Sequence, residues 1–199
     1  MRLSDFRPAA PVKVREPFDH DDFIFELKQD GFRALAHITP EQCQLVSRRG
    51  NIYKTFRGLS ESLRSLNCET VLDGEIVILD ENGRPQFCEL LRRRGEPILY
   101  AFDCLMLNGR DLRQLSLVQR KEILQRIVRE HPRVLFARHV ERNGCDLFRV
   151  VCEQDLEGIV AKRKNGVYGM DWFKIRNSRY SQYEGRRELF ERRVMVTTA

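Results

Sequence analysis

A lysine, an acid, a glycine and an arginine follow directly on an apolar run near the start of the chain. Residues 23–27 are mostly aromatic or β-branched, as in a buried strand, so Lys28 lies at a strand end. Burial and neighbouring cations favour the neutral amine of a lysine, and that amine is a nucleophile. Gly31 is expected to let the backbone turn where a side chain would obstruct a ligand. Alone, the stretch is better explained as a strand ending in a solvated turn, so the remaining motifs decide.

Two acids interrupt the apolar strand predicted over residues 70–80. Asp73 and Glu75 are two residues apart and therefore share one face of that strand. A buried carboxylate is costly unless it is paired or coordinates a cation. The acids are thus explained either by a ligand or metal site or by a structural salt bridge to an arginine.

The later strands carry an aromatic and several cations. Phe102 lies in the strand predicted over residues 98–107, where a core position is the simpler explanation. Glu157 precedes a predicted strand that carries Lys162 at its far end. Lys174 and Arg176 alternate along the strand predicted over residues 171–176 and share one face. Each lysine alone is better explained as a solvated charge at a strand end.

Hydrophobic periodicity predicts the elements that would position these residues. Further strands are expected at 23–28, 32–38, 43–47 and 156–164, and helices at 57–67, 87–94, 117–130 and 145–154. Ser116 is the predicted N-cap of the third helix, and residues 80–83 are expected to form a hairpin turn. Residues 1–22 are expected to form an irregular surface lead-in without chemistry, and residues 183–193 a short helix.

Composition narrows the class of protein. The 199 residues, 42% of them hydrophobic, are expected to form a single domain over 1–199. A secretory signal and a membrane span are both missing, which predicts a cytoplasmic protein without a membrane partner. Six scattered cysteines and four dispersed histidines argue against zinc. The net charge of +6 suits a polyanionic partner, although the basic clusters at 92–94 and 176–193 fit a solvated face equally well.

Taken in order, the motifs resemble the nucleotidyltransferase domain of ATP-dependent DNA ligases, in a superfamily that also contains RNA ligases and messenger-RNA capping enzymes. The resemblance covers nearly the whole chain, with matching stretches at residues 28–33, 47–50, 72–76, 100–103, 157–162 and 172–176. It implies an α+β fold, with two antiparallel β-sheets flanked by helices. It also implies a stand-alone adenylation domain, since the OB-fold domain with which family ligases usually continue is lacking.

The resemblance implies a role for each matching residue. Lys28 would attack the α-phosphorus of ATP and carry AMP, and Asp30 would orient it or help hold a metal. Other roles would be contacts with the adenine edge (Glu26), stacking on adenine (Phe102), contacts with ribose or phosphate (Arg33), contacts with the nucleotide or a DNA 5′-phosphate (Arg48), grip on the α-phosphate (Lys162 and Lys174), ribose or metal binding (Glu75) and metal binding (Glu157).

The implied cofactors and partners follow from that chemistry. ATP would be used as covalent AMP, and two carboxylates beside phosphate oxygens suit Mg²⁺. The implied partner is nicked DNA with a 5′-phosphate, in repair or recombination, with a separate clamp or repair protein as a further partner. One departure is Arg176, where the family usually has a lysine, because a planar guanidinium does not reproduce a compact ammonium.

Two other functions remain open from the sequence. A non-catalytic nucleotide- or nick-binding module would keep the pocket without turnover, although the presence of Lys28, Glu75 and Glu157 argues against it. An RNA ligase or a guanylyltransferase is the weaker enzymatic alternative. The sequence of residues 157–162 resembles that of ligases more closely than that of capping enzymes.

Overall fold

The computed structural model describes residues 5–183, which form eleven β-strands and four α-helices. The strands are β1 (Val12–Lys13), β2 (His20–Leu27), β3 (Phe32–Ile38), β4 (Cys43–Ser47), β5 (Thr70–Val77), β6 (Ile98–Leu107), β7 (Arg110–Asp111), β8 (Val134–Phe136), β9 (His139–Arg142), β10 (Gly158–Arg163) and β11 (Trp172–Arg176). The helices are α1 (Arg57–Leu63), α2 (Phe87–Arg92), α3 (Leu117–Val128) and α4 (Gly144–Glu153). A 3₁₀ turn, Arg64–Leu66, extends α1.

The strands form two sheets, which confirms the predicted fold class. The first sheet has the order β1-β11-β10-β2-β9 and the second the order β4-β3-β5-β6-β7, with β8 beside β6. Most neighbours are antiparallel, whereas β1 pairs with β11 and β8 pairs with β6 in parallel. Alternation along the central strands therefore gives each sheet one face for the helices and one for the other sheet.

Separate hydrophobic clusters hold the layers together. One packs the second sheet against α1, α2 and α3, and another packs the first sheet against α4. A further cluster combines Val77, Tyr100 and Phe102 of the second sheet with Trp172 of the first. The two sheets therefore meet around aromatic side chains.

The helix α3 begins as the sequence predicts. The hydroxyl of Ser116 accepts a hydrogen bond from the backbone of Gln119, whose side chain bonds back to the Ser116 backbone. This capping box satisfies amide groups that the first turn leaves without helical partners. The buried face of α3 contains Leu117 and Leu124 but also Arg120 and Lys121, two cations that the apolar stripe did not predict.

Three of the predicted strands have the expected bounds, the others differ by one to three residues at one or both ends, and several short strands were missed. The strands predicted at 32–38, 43–47 and 98–107 have these bounds in the structure, while the one predicted at 70–80 ends earlier, at Val77. The strands β1, β7, β8 and β9, each of four residues or fewer, were not predicted. The predicted helix at 183–193 lies, beyond its first residue, outside the described residues. No helix within residues 5–183 is long and apolar enough to cross a membrane.

The interpretation of Gly31 was wrong. A Cβ atom at this position would lie 2.2 Å from the backbone oxygen of Ile76 and 2.9 Å from side-chain atoms of Glu75 and Val77. The space is therefore taken by strand β5 and not by a ligand. Glycine is needed there because β5 approaches the turn closely.

Candidate active site

A cavity of about 190 Å³ lies where the two sheets meet. Nine residues selected from the sequence line it: Glu26, Lys28, Arg33, Arg48, Glu75, Phe102, Lys162, Lys174 and Arg176. Of the remaining two, Asp30 is buried outside the lining and Glu157 is reached through its contact with Lys28. The fold therefore brings together residues from almost the whole length of the chain.

Lys28 and Glu157 form an ion pair at the cavity. The Lys28 Nζ donates to Glu157 Oε2 at 2.5 Å, and the Lys28 backbone donates to the carbonyl oxygen of Gly158 at 2.9 Å. Lys28 follows β2 and Glu157 precedes the antiparallel neighbour β10, so the pairing of the two strands places both groups at the same edge. The carboxylate is 2% exposed and the lysine side chain 21% exposed, which leaves the amine accessible to a small molecule.

Asp73 serves a structural role beside the cavity. It accepts two hydrogen bonds from Arg33, at 2.6 and 2.7 Å, and one from the Tyr168 hydroxyl at 2.5 Å. Burial alone would lower the pKa of Arg33, but the charge and hydrogen bonds of Asp73 hold it above its ordinary value. The Arg33 guanidinium lies 4.5 Å from the ring centre of Phe102. The salt-bridge explanation therefore applies to Asp73.

Glu75 differs from Asp73. Burial raises the pKa of Glu75 to about 7, with Glu157 and Asp30 adding to the rise and Arg33 and Lys28 opposing it. Within residues 5–183, its carboxylate has no ion pair and no hydrogen bond. A carboxylate whose charge is disfavoured in the free protein is suited to a ligand that brings positive charge.

The carboxylate of Glu26 is held between two lysines. Lys121 of α3 contacts Oε1, and the Lys162 Nζ lies 2.6 Å from Oε2. Burial alone would raise the pKa of Glu26, but the two ammonium groups hold it below its ordinary value. The Lys162 Nζ also lies 4.2 Å from the ring centres of both Phe102 and Trp172. Lys162 is therefore placed at the aromatic end of the cavity.

A second group of cations lines the cavity near Lys28. Burial lowers the pKa of Lys174, and the positive charges of Arg176, Lys28 and Arg48 lower it further. Arg48 and Arg176 are exposed, and among the described residues Arg48, Lys174 and Arg176 have no ion pair. Cations held together in this way attract a polyanionic ligand.

Residues 8–11 form one wall of the cavity, although no chemistry was predicted for them. The backbone amide of Ala9 donates to the Tyr168 hydroxyl at 2.9 Å, and its carbonyl oxygen accepts from Arg33 at 3.3 Å. The pairing of Val12 with Phe173 continues this attachment to β11. The expectation that the lead-in carries no part of the site was therefore wrong.

Lys121 is a further contributor that sequence reasoning missed. A signal for it was present, because Leu117, Arg120, Lys121, Leu124 and Val128 follow the spacing of a single helical face. Two cations on an otherwise apolar stripe indicate buried partners. Arg120 has that partner in Asp103, at 2.7 Å, and Lys121 has it in Glu26.

The described residues contain no cluster of three or more histidine, cysteine, aspartate or glutamate side chains that would hold a metal by itself. Glu157 contacts the Lys28 amine, and the charge of Glu75 interacts with those of Lys28 and Glu157. Such a pair of acids fits Mg²⁺, which keeps several water ligands and takes one or two carboxylates together with phosphate oxygens.

Comparison with known families identifies the domain. The sequence profile described as "ATP dependent DNA ligase domain" matches residues 8–178. The chain belongs to this family. The match spans both sheets and every residue of the cavity, and it makes the chain an enzyme domain of the ligase type of nucleotidyltransferase.

Two curated relatives and one solved structure show how far the similarity extends. The ligase domain is 30% identical to the SPbeta prophage-derived DNA ligase-like protein LigB of Bacillus subtilis (strain 168), over 88% of this chain and 68% of LigB. It is 33% identical to the multifunctional non-homologous end joining protein LigD of Pseudomonas aeruginosa PAO1, over 85% of this chain but only 22% of LigD. The structure of mycobacterial DNA ligase D complexed with ATP and MES superposes with a TM-score of 0.75 at 26% identity, covering 88% of this chain and 62% of that one.

Proposed function

We propose that this domain transfers AMP from ATP to Lys28. In the reaction, a bond forms between the Lys28 nitrogen and the α-phosphorus, and the bond between the α- and β-phosphates breaks to release pyrophosphate. The amine must lose its proton before it can attack. Glu157, 2.5 Å away, is the acceptor nearest to that proton. The observation that carries the proposal is this lysine and carboxylate pair beside a cavity with one aromatic and one cationic end.

The two ends suggest how the nucleotide would lie. Phe102, Trp172 and Tyr100 offer aromatic surfaces for the base, next to Glu26. Lys174, Arg176 and Arg48 lie near Lys28 and would hold the phosphates, since transfer of a phosphoryl-type group depends mainly on positioning and electrostatics. The role of Lys162 at the α-phosphate stays a prediction, because its amine contacts Glu26 and the two rings.

Mg²⁺ is part of the same proposal. Glu75 and Glu157 would hold it, and the bound ion would neutralise charge on the phosphates. Glu75 supports this assignment because its carboxylate has no ion pair or hydrogen bond within residues 5–183, and because burial, with a smaller contribution from Glu157, raises its pKa. Asp30, which is buried and whose charge acts on Glu75, stays a predicted orienting residue.

Nicked DNA with a 5′-phosphate is the proposed acceptor of the AMP. The family supports this acceptor, and so do the exposed cations Arg48 and Arg176 at the cavity and the net charge of +6. Strand sealing, a role in DNA repair, a cytoplasmic location and a separate clamp or repair protein are proposed on the family alone. The chain spans only 22% of LigD, so LigD's end joining is not carried over.

Covalent labelling tests the proposal. The domain is incubated with Mg²⁺ and ATP labelled at the α-phosphate, denatured, and examined for protein-bound label. We expect label on the wild type and on Lys54→Ala, which removes an exposed lysine outside the cavity, but none on Lys28→Ala. Equal labelling of Lys28→Ala would show that another residue is the nucleophile.

The same experiment separates the alternatives. A wild type that binds ATP without covalent label would be the non-catalytic module, and stronger labelling by GTP in competition would indicate a guanylyltransferase. Nicked DNA and nicked RNA, each with a 5′-phosphate, are then added to the labelled protein. Faster loss of label to RNA would make the domain an RNA ligase.

A further inference from the structure

Lys121 lies behind the cavity and does not line it, yet it is a fully buried partner of Glu26. Its side chain is 2% exposed, and its amine contacts the Glu26 carboxylate and donates to the carbonyl oxygen of Ala137 at 2.7 Å. The amine also lies 4.6 Å from the ring centre of Phe136. Lys121 is therefore held in place by protein groups whether or not a nucleotide is present.

Glu26 faces the end of the cavity that offers aromatic surfaces. Its second carboxylate oxygen is paired with Lys162, which contacts Phe102 and Trp172. Burial raises the pKa of Tyr100 on β6, and the charge of Glu26 raises it further. A base placed against these rings would meet Glu26 along its edge.

We propose that Lys121 is a positioning residue for base selection: it keeps Glu26 as a carboxylate, so that the cavity accepts a purine with a 6-amino group and rejects one with a 6-oxo group. This inference rests on the proposed adenylation of Lys28. It adds to the adenylation proposal a role for Lys121, which lies on α3 outside the cavity.

The selection follows from hydrogen-bond chemistry. A carboxylate only accepts hydrogen bonds, which suits the amino group of adenine. The 6-oxo group of hypoxanthine or guanine is itself an acceptor, so it would face a negative oxygen without a proton between them. A neutral carboxyl could donate to that oxygen. Discrimination therefore depends on keeping Glu26 ionised inside the protein.

Lys121 is better suited to this task than Lys162. Burial lowers the pKa of Lys162 despite its pairing with Glu26, and Lys121 adds to that lowering. The other titratable groups that face Glu26 are Tyr100 and, on the neighbouring strand β9, His139, whose pKa burial lowers. With Lys121 removed, the groups that remain around Glu26 are Lys162, Tyr100 and His139. Together they would stabilise the ionised form of Glu26 much less than the wild-type surroundings do.

The test compares labelling rates with ATP and with inosine triphosphate, both labelled at the α-phosphate. We expect Lys121→Met to lower the ratio of the two second-order rate constants by about tenfold or more, the effect of one hydrogen bond to a charged group. Lys121→Arg should keep most of the ratio. Arg126→Met removes an exposed cation from the same helix and should leave the ratio unchanged.

The pH profile distinguishes this role from simple structural support. In Lys121→Met, the ratio should rise with pH as Glu26 ionises, whereas the wild-type ratio should stay nearly constant. Should Lys121→Met fail to fold, Glu26→Gln provides the second test, because an amide also donates and should lose the preference for ATP.

Two results would overturn the inference. One is a Lys121→Met variant that reacts more slowly with both nucleotides at an unchanged ratio, and the other is a Glu26→Gln variant with the full wild-type preference. Absence of any label on the wild type with ATP would instead refute the proposed function, so the two failures are distinguishable.

Discussion

The cations of the cavity fall into two groups by their partners. Lys28, Arg33 and Lys162 are each paired with an acid, whereas among the described residues Lys174 and Arg176 are without one. Pairing fixes a side chain in position, and an unpaired cation keeps its charge available for a ligand. Phosphate binding is therefore expected to depend most on the second group.

Lys174 provides a direct test of this division. Replacement by Met keeps most of the side-chain volume and removes the charge near Lys28. Self-adenylation should slow by about 10- to 100-fold, as when one electrostatic contact with the reacting group is lost. The rate is measured with labelled ATP, and Lys54→Met is the control. An unchanged rate would place the phosphates elsewhere.

Glu75 should make the metal-free protein less stable as the pH rises. Its pKa is raised from 4.5 to about 7 in the folded state, so the penalty for ionising it develops between these two values. Glu75→Gln does not titrate, and it should exceed the wild type in free energy of unfolding by about 1–3 kcal/mol at pH 8. Near pH 5 most of that difference should be gone.

Denaturant unfolding in EDTA at both pH values measures this effect. Glu81→Gln, a change of an exposed acid at the turn after β5, is the control. A difference between Glu75→Gln and the wild type that is the same at both pH values would show that the effect comes from packing and not from ionisation.

At the scale of elements, Gly158 links strand pairing to chemistry. Its φ of +152° is rarely adopted by other residues, and a Cβ atom there would lie 2.1 Å from the backbone oxygen of Ile175. An alanine would push β10 away from β11 and move the adjacent Glu157. The position of Glu157 beside Lys28 thus depends on the glycine that follows Glu157 in the chain.

Gly158→Ala should therefore lose both stability and adenylation. We expect unfolding at a lower temperature and labelling reduced by at least about tenfold, since a misplacement of about 1 Å can cost a hundredfold in rate. Gly58→Ala in α1 meets no atom within 4 Å and should be neutral or stabilising. Normal labelling of Gly158→Ala would contradict the coupling.

The elements also show what sequence could and could not predict. The long strands around Lys28, Glu75 and Phe102 are set by their own residues, and so their existence and their cavity residues were found, with bounds that differ by at most three residues. The short strand β1 depends on its partner, because Val12 and Lys13 pair with β11 across more than 150 residues of sequence. The local sequence pattern cannot predict a partner that is so distant along the chain.

For the whole molecule, binding of DNA should be more sensitive to salt than formation of lysyl-AMP. A nicked duplex would contact several exposed cations at once, and counterion release makes such binding fall steeply with salt. We expect the rate of label transfer from the protein to nicked DNA to fall when NaCl is raised from roughly 50 to roughly 200 mM. The rate of labelling by ATP should fall much less over the same range.

The two rates are measured separately, with pre-labelled protein for the second step. Arg48→Gln should reduce the salt dependence of transfer, whereas Arg126→Gln, remote from the cavity, should leave it unchanged. Equal salt dependence of the two steps would argue against a DNA contact at the cationic end. The prediction of a single stand-alone domain over 1–199 stays a prediction.

The wall formed by residues 8–11 has a consequence for synthesis of the protein. These residues are made before the rest of the cavity, yet their partners, Tyr168 and the strand that contains Phe173, are made last among the elements of the cavity. Pairing across so long a stretch of chain is slow to form. The nascent domain should consequently be unable to capture ATP until its synthesis is almost complete.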